Sequence, residues 1–264
     1  MIALIAGTGD LPGVLAARLV AAGTPPVICA LRGFSPDVPP GLERLDFRLE
    51  TFGTLLADLR ARGVTQVCLV GLVRRPEIAP EAVDAATAPL LAALRDALPL
   101  GDDGTLRAII ALIEAQGFAV IGAAAIAPDL VAAPGTFTRR APGAGLAGAL
   151  PLARATLAAM GRADSGQALV LRAGRVIARE GPEGTDALLA ALPAGQGGFL
   201  FKGPKPGQEL RADMPAIGPE TARGAIRAGL AGIAVVAGGT LVIGRADTVA
   251  LLDAAGLWLE GVAP

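Results

Sequence analysis

The residues of this sequence that could do chemistry are concentrated between positions 199 and 217, in the stretch FLFKGPKPGQELRADMPAI. Lys202 and Lys205 can hold phosphate oxygens as point charges, and Arg211 can grip them as a planar fork. Beside these cations, the carboxylate of Asp213 can bind a divalent metal ion or orient a water molecule. Three prolines restrict the backbone here, which favours a built site over the alternative, a solvated charged loop.

Two further carboxylates lie in the EGTD turn, which contains Glu183, Thr185 and Asp186. Both segments border predicted strands in one half of the chain, so we expect Glu183 and Asp186 to join Asp213 as metal ligands. Carboxylates and cations suit metal-assisted hydrolysis at phosphorus, in which the metal bridges phosphate and water and lowers the pKa of that water. The alternative is an ordinary helix start capped by Thr185 or Asp186.

The composition narrows the chemistry. The chain of 264 residues contains no histidine, which removes the commonest general base, the serine and cysteine triads and the usual zinc ligand. Cys29 and Cys68 lie in apolar strand patterns, so we interpret them as buried thiols in a protein of a reducing compartment. Any metal site must then use oxygen ligands, which favours Mg²⁺ or Mn²⁺.

Charge and hydropathy exclude other classes. A net charge of −1 and 3% aromatic residues argue against a nucleic-acid binder. The longest uncharged apolar run, residues 229–244, is 16 residues long, too short for a membrane span. The N-terminus enters a strand directly, without a secretory signal. We therefore expect a soluble, cytoplasmic protein and leave contact with a membrane surface open.

A glycine turn near the N-terminus is a second place for phosphate. The apolar run of residues 2–6 predicts a buried parallel strand, and the turn that follows leads into a helical pattern. Backbone N–H groups at such a helix start attract phosphate, so we expect phosphate or sugar contacts from Gly7, Thr8, Gly9 and Asp10. A simpler role for Asp10 is that of helix N-cap.

The dinucleotide fingerprint at this turn is incomplete. Gly7, Gly9 and Gly13 give GxGxxxG, and the next strand ends at Arg32, where NAD-binding proteins usually place an acidic residue. An NADP-dependent oxidoreductase, which Arg32 would favour, stays as an alternative.

Two other motifs follow predicted strands or begin helices. Arg74 comes directly after the buried strand at residues 66–73, at the edge where open α/β sheets bind ligands, although solvated loop arginines explain it equally. The GDDG turn at residues 101–104 precedes a helix predicted from Thr105 to Gln116. Its carboxylates could bind a metal or cap that helix.

The order of elements predicts an α/β protein of two domains. Residues 1–133 alternate strands and helices, which implies a Rossmann-like, mostly parallel sheet with helices on both faces. Residues 134–148 are rich in glycine and proline and are interpreted as a linker. Residues 149–264 form a mixed α/β domain, which would carry the catalytic residues.

Four motifs together resemble one known family: LIAGTGDLP, GDDG, EGTD and FKGPKPGQELRADMPAIG. They are similar to the LpxI type of UDP-2,3-diacylglucosamine pyrophosphatase, over nearly the whole chain. The last motif, between Lys202 and Gly218, is the most specific.

The resemblance implies an enzyme of lipid A biosynthesis. Such an enzyme uses Mg²⁺ to cleave the pyrophosphate of UDP-2,3-diacylglucosamine, giving UMP and 2,3-diacylglucosamine 1-phosphate (lipid X). The essential aspartate of the family lies in an R-x-D-x-P segment, and that residue is Asp213 here. The resemblance also implies a homodimer with a peripheral place at the inner face of the cytoplasmic membrane.

Residues and resemblance together define an expected site. The catalytic residues would be Asp213, Lys202 and Lys205. A carrier protein for a lipid-linked nucleotide sugar would use the same phosphate-binding groups, and the sequence leaves that alternative open. The expected substrate contacts are Gly7, Thr8, Gly9, Asp10, Arg74, Thr185, Gln208 and Arg211.

Overall fold

The computed structural model describes residues 1–73, 78–95 and 101–264. The chain forms two compact units. Unit 1 comprises Met1–Pro128 together with Glu209–Asp213, and unit 2 comprises Asp129–Gln208 together with Met214–Pro264.

Unit 1 is built on a five-stranded sheet in the order β3-β2-β1-β4-β5, in which every pairing is parallel. Short apolar runs form its central strands because both faces of the sheet are covered. The thiols of Cys29 and Cys68 are fully buried there, as the sequence predicts. The strands are β1 (Ile2–Ala6), β2 (Val27–Leu31), β3 (Arg44–Phe47), β4 (Gln66–Val70) and β5 (Ala119–Val120).

Helices connect these parallel strands. Leu56, Leu59, Ile110 and Ile113 are buried in one core with residues of the sheet, which explains the apolar spacing in α2 and α4. The helices of unit 1 are α1 (Asp10–Ala21), α2 (Phe52–Ala61), α3 (Ala88–Arg95), α4 (Gly101–Ala115) and α5 (Ala123–Ile126), with 3-10 turns at Leu49–Thr51 and Pro80–Ala82.

Two expectations for unit 1 need correction. The helix predicted from Glu81 to Leu98 begins only at Ala88, because a 3-10 turn and an extended residue, Val83, precede it. The GDDG motif is not a turn before a helix, since α4 already begins at Gly101. The motif therefore places Asp103 on the first turn of α4.

Unit 2 contains a six-stranded sheet in the order β6-β13-β11-β9-β7-β8. Strands β13, β11 and β9 are parallel to one another, whereas β6, β7 and β8 pair antiparallel with their neighbours. The strands are β6 (Gly135–Thr136), β7 (Ala168–Arg172), β8 (Arg175–Arg179), β9 (Phe199–Lys202), β11 (Gly232–Val236) and β13 (Trp258–Val262). A separate parallel pair consists of β10 (Ala216–Ile217) and β12 (Leu241–Val242).

Apolar cores lie on the two faces of the larger sheet. One contains Leu157 and Met160 with Phe201, and the other contains Leu189 and Ala225. The helices of unit 2 are α6 (Gly145–Arg162), α7 (Gly184–Ala190), α8 (Pro219–Arg227) and α9 (Arg245–Ala254). The predicted fold class, a Rossmann-like parallel sheet followed by a mixed α/β domain, is confirmed.

The segment interpreted as a linker has regular structure. Within residues 134–148, β6 pairs with β13, and α6 begins at Gly145. Throughout the described ranges, no helix is both long enough and apolar enough to cross a membrane.

Candidate active site

Lys202 is the last residue of β9, which lies between β11 and β7 in the sheet of unit 2. The strand alternates, so that Phe199 and Phe201 enter one core and Leu200 the other. Lys202 pairs with Ala168 of β7 and has an exposed fraction of only 9%. A lysine is rarely buried to this extent without a polar partner.

The partner is a buried hydrogen-bonded chain. The Lys202 Nζ atom donates to Thr185 Oγ1 over 2.7 Å, and Thr185 Oγ1 donates to Glu180 Oε1 over 2.8 Å. The backbone N–H of Gln167 donates to Glu180 Oε2 over 2.6 Å. Thr185 and Glu180 are 7% and 9% exposed. The structure therefore brings Lys202 and Thr185 together, as part of a chain that ends at a carboxylate.

Lys205 lies in the loop that follows β9. Its ammonium group pairs with the carboxylate of Asp164, and its backbone N–H donates to Gln208 Oε1 over 2.8 Å. Gly203 is required before it, because a Cβ atom there would lie 2.3 Å from Val236 Cγ2. The side chain of Gln208 therefore fixes the shape of the loop that carries Lys205.

Asp213 belongs to unit 1, whereas Glu183 and Asp186 belong to unit 2, so the expectation of one domain for all three is wrong. Residues 209–213 form a short turn, in which the backbone N–H of Asp213 donates to Glu209 O over 3.1 Å. Ala212 packs on the core of unit 1.

The turn also lies close to the backbone that follows β5. A Cβ atom on Gly122 would lie 3.0 Å from the Cα atom of Arg211, so this glycine admits the turn at the carboxyl end of the parallel sheet. Asp213 is thus carried at the edge where parallel α/β sheets bind ligands.

A network of charges fixes this turn to α4. Arg211 donates to both carboxylate oxygens of Glu209, at 3.0 and 2.9 Å, and to Glu114 Oε1 at 2.7 Å. Asp103 Oδ1 accepts the backbone N–H of Glu209 at 2.7 Å, and Asp103 Oδ2 accepts from Arg107 at 2.7 Å. The hydrogen bonds that Arg211 donates lower the pKa of Glu209, and donating them to Glu209 and Glu114 raises the pKa of Arg211. Arg211 is thus engaged with carboxylates in this structure.

The N-terminal glycine turn has the expected position at the carboxyl end of β1. The backbone N–H of Gly7 donates to Val70 O over 2.8 Å, and a Cβ atom on Gly7 would lie 2.3 Å from Leu72 O. Thr8 exchanges backbone hydrogen bonds with Leu72, and its hydroxyl group donates to Leu72 O over 3.2 Å. The turn is therefore fixed against β4.

The interpretation of Asp10 as the N-cap of α1 is wrong. Gly9, with φ of 98°, occupies the cap position, and Asp10 is the first helical residue. Within the described part of the chain, no side chain accepts a hydrogen bond at this cap. The helix start presents backbone amides beside one carboxylate.

The EGTD turn is a helix start of a different kind from the one expected. Glu183 holds the cap position of α7 without a side-chain cap, and Thr185 turns inward to Glu180. Glu183 and Asp186 are exposed. Capping by Thr185 or Asp186, the alternative interpretation, is therefore wrong.

The placement of the carboxylates indicates what kind of metal site they could form. In residues 1–73, 78–95 and 101–264, no group of three or more acidic or cysteine side chains is placed to hold a metal ion. Mg²⁺ is often bound through one or two carboxylates and the phosphates of a substrate. The half-buried Asp213 fits that kind of binding, whereas a closed site made by protein alone does not fit these residues.

One predicted site residue lies outside the described part of the chain, and two residues with central contacts were not predicted. Arg74, a predicted substrate contact, lies outside the described residues. Glu180 and Glu209, both central to the contacts above, were not predicted as site residues. Only the sequence position of Glu209, between Gln208 and Arg211, could have indicated its importance.

Comparison with known proteins agrees with this architecture. The LpxI N-terminal domain matches residues 1–130, and the LpxI C-terminal domain matches residues 133–260. A protein of Caulobacter vibrioides named UDP-2,3-diacylglucosamine pyrophosphatase LpxI is 39% identical over 278 residues, which cover 99% of this chain and 97% of the relative. Two domain matches that span the chain, together with a relative of this identity, show that the chain belongs to the LpxI family.

Proposed function

We propose that this protein hydrolyses the pyrophosphate bond of UDP-2,3-diacylglucosamine, giving UMP and 2,3-diacylglucosamine 1-phosphate, in lipid A biosynthesis. The observation that carries the proposal is the full-length similarity to the Caulobacter vibrioides protein named for that activity. The cations and carboxylates of the candidate site suit phosphate chemistry, since the described residues offer acids and lysines in place of histidine.

The proposed catalytic role of Asp213 is to bind Mg²⁺ or to orient the attacking water. Its segment is held by the charge network to α4, so the carboxylate is carried on a fixed turn. Fixed placement matters because catalysis depends on groups that are already aligned for the transition state.

Lys202 and Lys205 are proposed to bind the pyrophosphate oxygens. Each contributes a positive charge that can stabilise the negative charge developing on equatorial oxygens. Lys205 is paired with Asp164, so phosphate would compete with that carboxylate for the ammonium group.

The glycine turn of unit 1 is proposed to contact phosphate or sugar through Gly7, Thr8, Gly9 and Asp10. Backbone N–H groups at a helix start favour an anion, and the amides of Gly9 and Asp10 are the proposed donors, because those of Gly7 and Thr8 already donate to Val70 O and Leu72 O. Because Thr8 donates its hydroxyl proton to Leu72, it is proposed to act as an acceptor for a substrate hydroxyl.

Other predicted contacts take supporting parts. Gln208 shapes the Lys205 loop, and Arg211 is proposed to hold the Asp213 turn in place of direct phosphate contact. Arg74 stays a proposed substrate contact.

The proposed metal is Mg²⁺, with Mn²⁺ as a substitute. When bound, it would neutralise phosphate charge and lower the pKa of the attacking water. Asp213 is the proposed ligand, and Glu183 and Asp186 are the further candidates because both carboxylates are accessible.

Product analysis by mass spectrometry tests the function. Purified protein is incubated with UDP-2,3-diacylglucosamine and Mg²⁺, with EDTA in a parallel reaction, and in ¹⁸O-labelled water. We expect UMP and 2,3-diacylglucosamine 1-phosphate only in the presence of the metal, with the label identifying the phosphorus that is attacked. Full turnover in EDTA would show that the reaction does not need a metal ion. Substrate that binds but is not cleaved would indicate a carrier protein in place of an enzyme. Absence of both binding and turnover would contradict the proposed substrate.

Assembly and location are proposed from the family alone. We propose a homodimer, for which light scattering should give twice the chain mass of 26.2 kDa. Peripheral contact with the inner face of the cytoplasmic membrane should appear as co-sedimentation with anionic vesicles. A mass equal to one chain would contradict the dimer, and protein left in the supernatant would contradict the membrane contact.

A further inference from the structure

We infer that Glu180 and Thr185 are positioning residues, which hold the ammonium group of Lys202 for the reaction without touching the substrate. The inference rests on the function proposed above. It changes the role of Thr185, which the sequence indicated as a substrate contact, and it gives a role to Glu180, which the sequence did not single out.

The three side chains come from three elements of unit 2. Glu180 directly follows β8, Thr185 lies in the first turn of α7, and Lys202 ends β9. All three are at least nine-tenths buried. Charged side chains meet in this way only if the folded structure places them, because each loses most of its hydration.

The donors and acceptors available fix the direction of the hydrogen bonds between Lys202, Thr185 and Glu180. A threonine hydroxyl has one hydrogen, and an ionised carboxylate can only accept. The hydrogen of Thr185 therefore points at Glu180 Oε1, and a lone pair of Thr185 Oγ1 faces Lys202 Nζ, 2.7 Å away. One of the three ammonium hydrogens is thereby directed, which sets the rotation of the ammonium group.

Glu180 is itself anchored. Its second carboxylate oxygen accepts the Gln167 amide, and its own amide donates to Ala168 O over 2.8 Å. Gly166 allows this close approach, because a Cβ atom there would lie 2.7 Å from Glu180 O. Both carboxylate oxygens of Glu180 therefore accept hydrogen bonds, one from Thr185 and one from the Gln167 amide.

Stability alone does not explain the arrangement. Apolar residues of similar volume are often at least as stabilising as buried charged groups, because desolvation offsets the attraction between the charges. A lysine at the end of the central strand β9, buried with a threonine of α7 and a glutamate that follows β8, therefore indicates a function. For a pyrophosphate, a positive charge fixed before binding stabilises the transition state without reorganisation.

Substitutions at positions 185 and 180 separate the roles. Thr185→Val keeps the shape and removes the hydroxyl, Thr185→Ser keeps the hydroxyl, and Glu180→Gln removes the charge. We expect kcat to fall about 10-fold to 100-fold in Thr185→Val and Glu180→Gln with a smaller change in KM, as for loss of a transition-state interaction. Thr185→Ser should recover most of the turnover.

A second measurement does not depend on turnover. In protein labelled with ¹⁵N-lysine, a hydrogen-bonded, buried ammonium group should give a protected NH₃⁺ resonance, assigned by its loss in Lys202→Arg. We expect this resonance in the wild type and in Thr185→Ser, and its loss or a large shift in Thr185→Val. Circular dichroism of each variant checks folding, and Thr185→Ala replaces Thr185→Val if the latter does not fold.

The outcomes distinguish this inference from the proposed function. An active wild type with fully active, folded Thr185→Val and Glu180→Gln variants would overturn the inference alone. If activity is lost only in proportion to unfolding, and Thr185→Ser does not restore it, both residues have a purely structural role. An inactive wild type with the expected resonance pattern would overturn the proposed function and leave only the geometry.

Discussion

Asp213 is the residue on which the proposed chemistry depends most directly. Asp213→Asn keeps the size of the side chain and removes its charge, so we expect kcat to fall by at least ~100-fold, because an interaction made in the transition state is lost. Turnover measured at saturating substrate and Mg²⁺ tests this.

A matched substitution shows whether charge loss alone matters. Asp58 is an exposed residue of α2 for which no role in the reaction is proposed, and Asp58→Asn should leave turnover within about two-fold of wild type. Both variants should melt close to the wild type. Ordinary turnover in Asp213→Asn would remove this residue from the mechanism.

Glu209 should make stability depend on pH. Its pKa lies below the ordinary value of 4.5, chiefly because Arg211 donates hydrogen bonds to the ionised form. A lowered pKa in the folded state means that this stabilisation is complete above pH 4.5 and is lost as the pH falls toward the folded-state pKa. Wild type should therefore lose more stability than Glu209→Gln on acidification below pH 4.5.

Thermal unfolding followed by circular dichroism at several pH values measures this difference. Near neutral pH, Glu209→Gln should be less stable by about 1–2 kcal/mol, because hydrogen bonds between charged groups are lost from a carboxylate that is only 13% exposed. If the melting temperatures of the two proteins change by the same amount from pH 7 to pH 3, the proposed role of this carboxylate is contradicted.

At the residue scale, the sequence indicated types of chemistry better than contacts. Lys202 at a strand end followed from the apolar run before it. The contact between Asp103 and Glu209 spans 106 positions, and no local pattern carries that distance. Glu180 is similar, since only the pairing of β7 with β8 brings it to the Gln167 amide.

Among the elements, the turn between β1 and α1 should tolerate an added side chain poorly. Gly7→Ala would place a Cβ atom 2.3 Å from Leu72 O, and this oxygen is backbone, so the turn must shift. We expect a loss of about 1–3 kcal/mol in stability, as for other overpacked sites.

Gly148 provides the opposite case. It is an exposed residue of α6 with open space around its Cα, so Gly148→Ala should stabilise by about 0.5–1 kcal/mol through helix propensity. Urea unfolding of both variants compares them directly. A stable Gly7→Ala protein would show that the turn can relax.

Elements with strong periodicity were predictable, and short ones were not. The apolar runs at β1, β2 and β4 predicted buried strands because burial on both faces demands such runs. Strand β6 has two residues within a segment rich in glycine and proline, so it read as a linker. It forms because β13 offers an edge, which is a property of the folded sheet.

The whole molecule carries a natural probe in each unit. Burial raises the pKa of the Cys29 and Cys68 thiols to about 12, and both belong to unit 1. The single tryptophan, Trp258, is buried in unit 2 against Phe199. Thiol modification and tryptophan fluorescence therefore report on different units.

We expect both thiols to resist a disulfide reagent at pH 8 in the native protein, because buried thiols are protonated and inaccessible. In urea, thiol modification should follow the unfolding of unit 1, and fluorescence that of unit 2. Glu209→Gln should move the thiol transition to lower urea more than the fluorescence transition. Rapid modification of either thiol without denaturant would contradict the buried placement.

Because residues 209–213 belong to unit 1, the coding sequence of that unit is divided into two pieces. A gene fragment for residues 1–128 encodes unit 1 without Asp213 and without the partners of Asp103 and Glu114. A chimera that joins the halves of two relatives would take these pairs from different parents. Chimeras within this family should therefore fold more often when residues 209–213 come from the same parent as the N-terminal half. Substitutions in these two parts of the sequence should also be correlated.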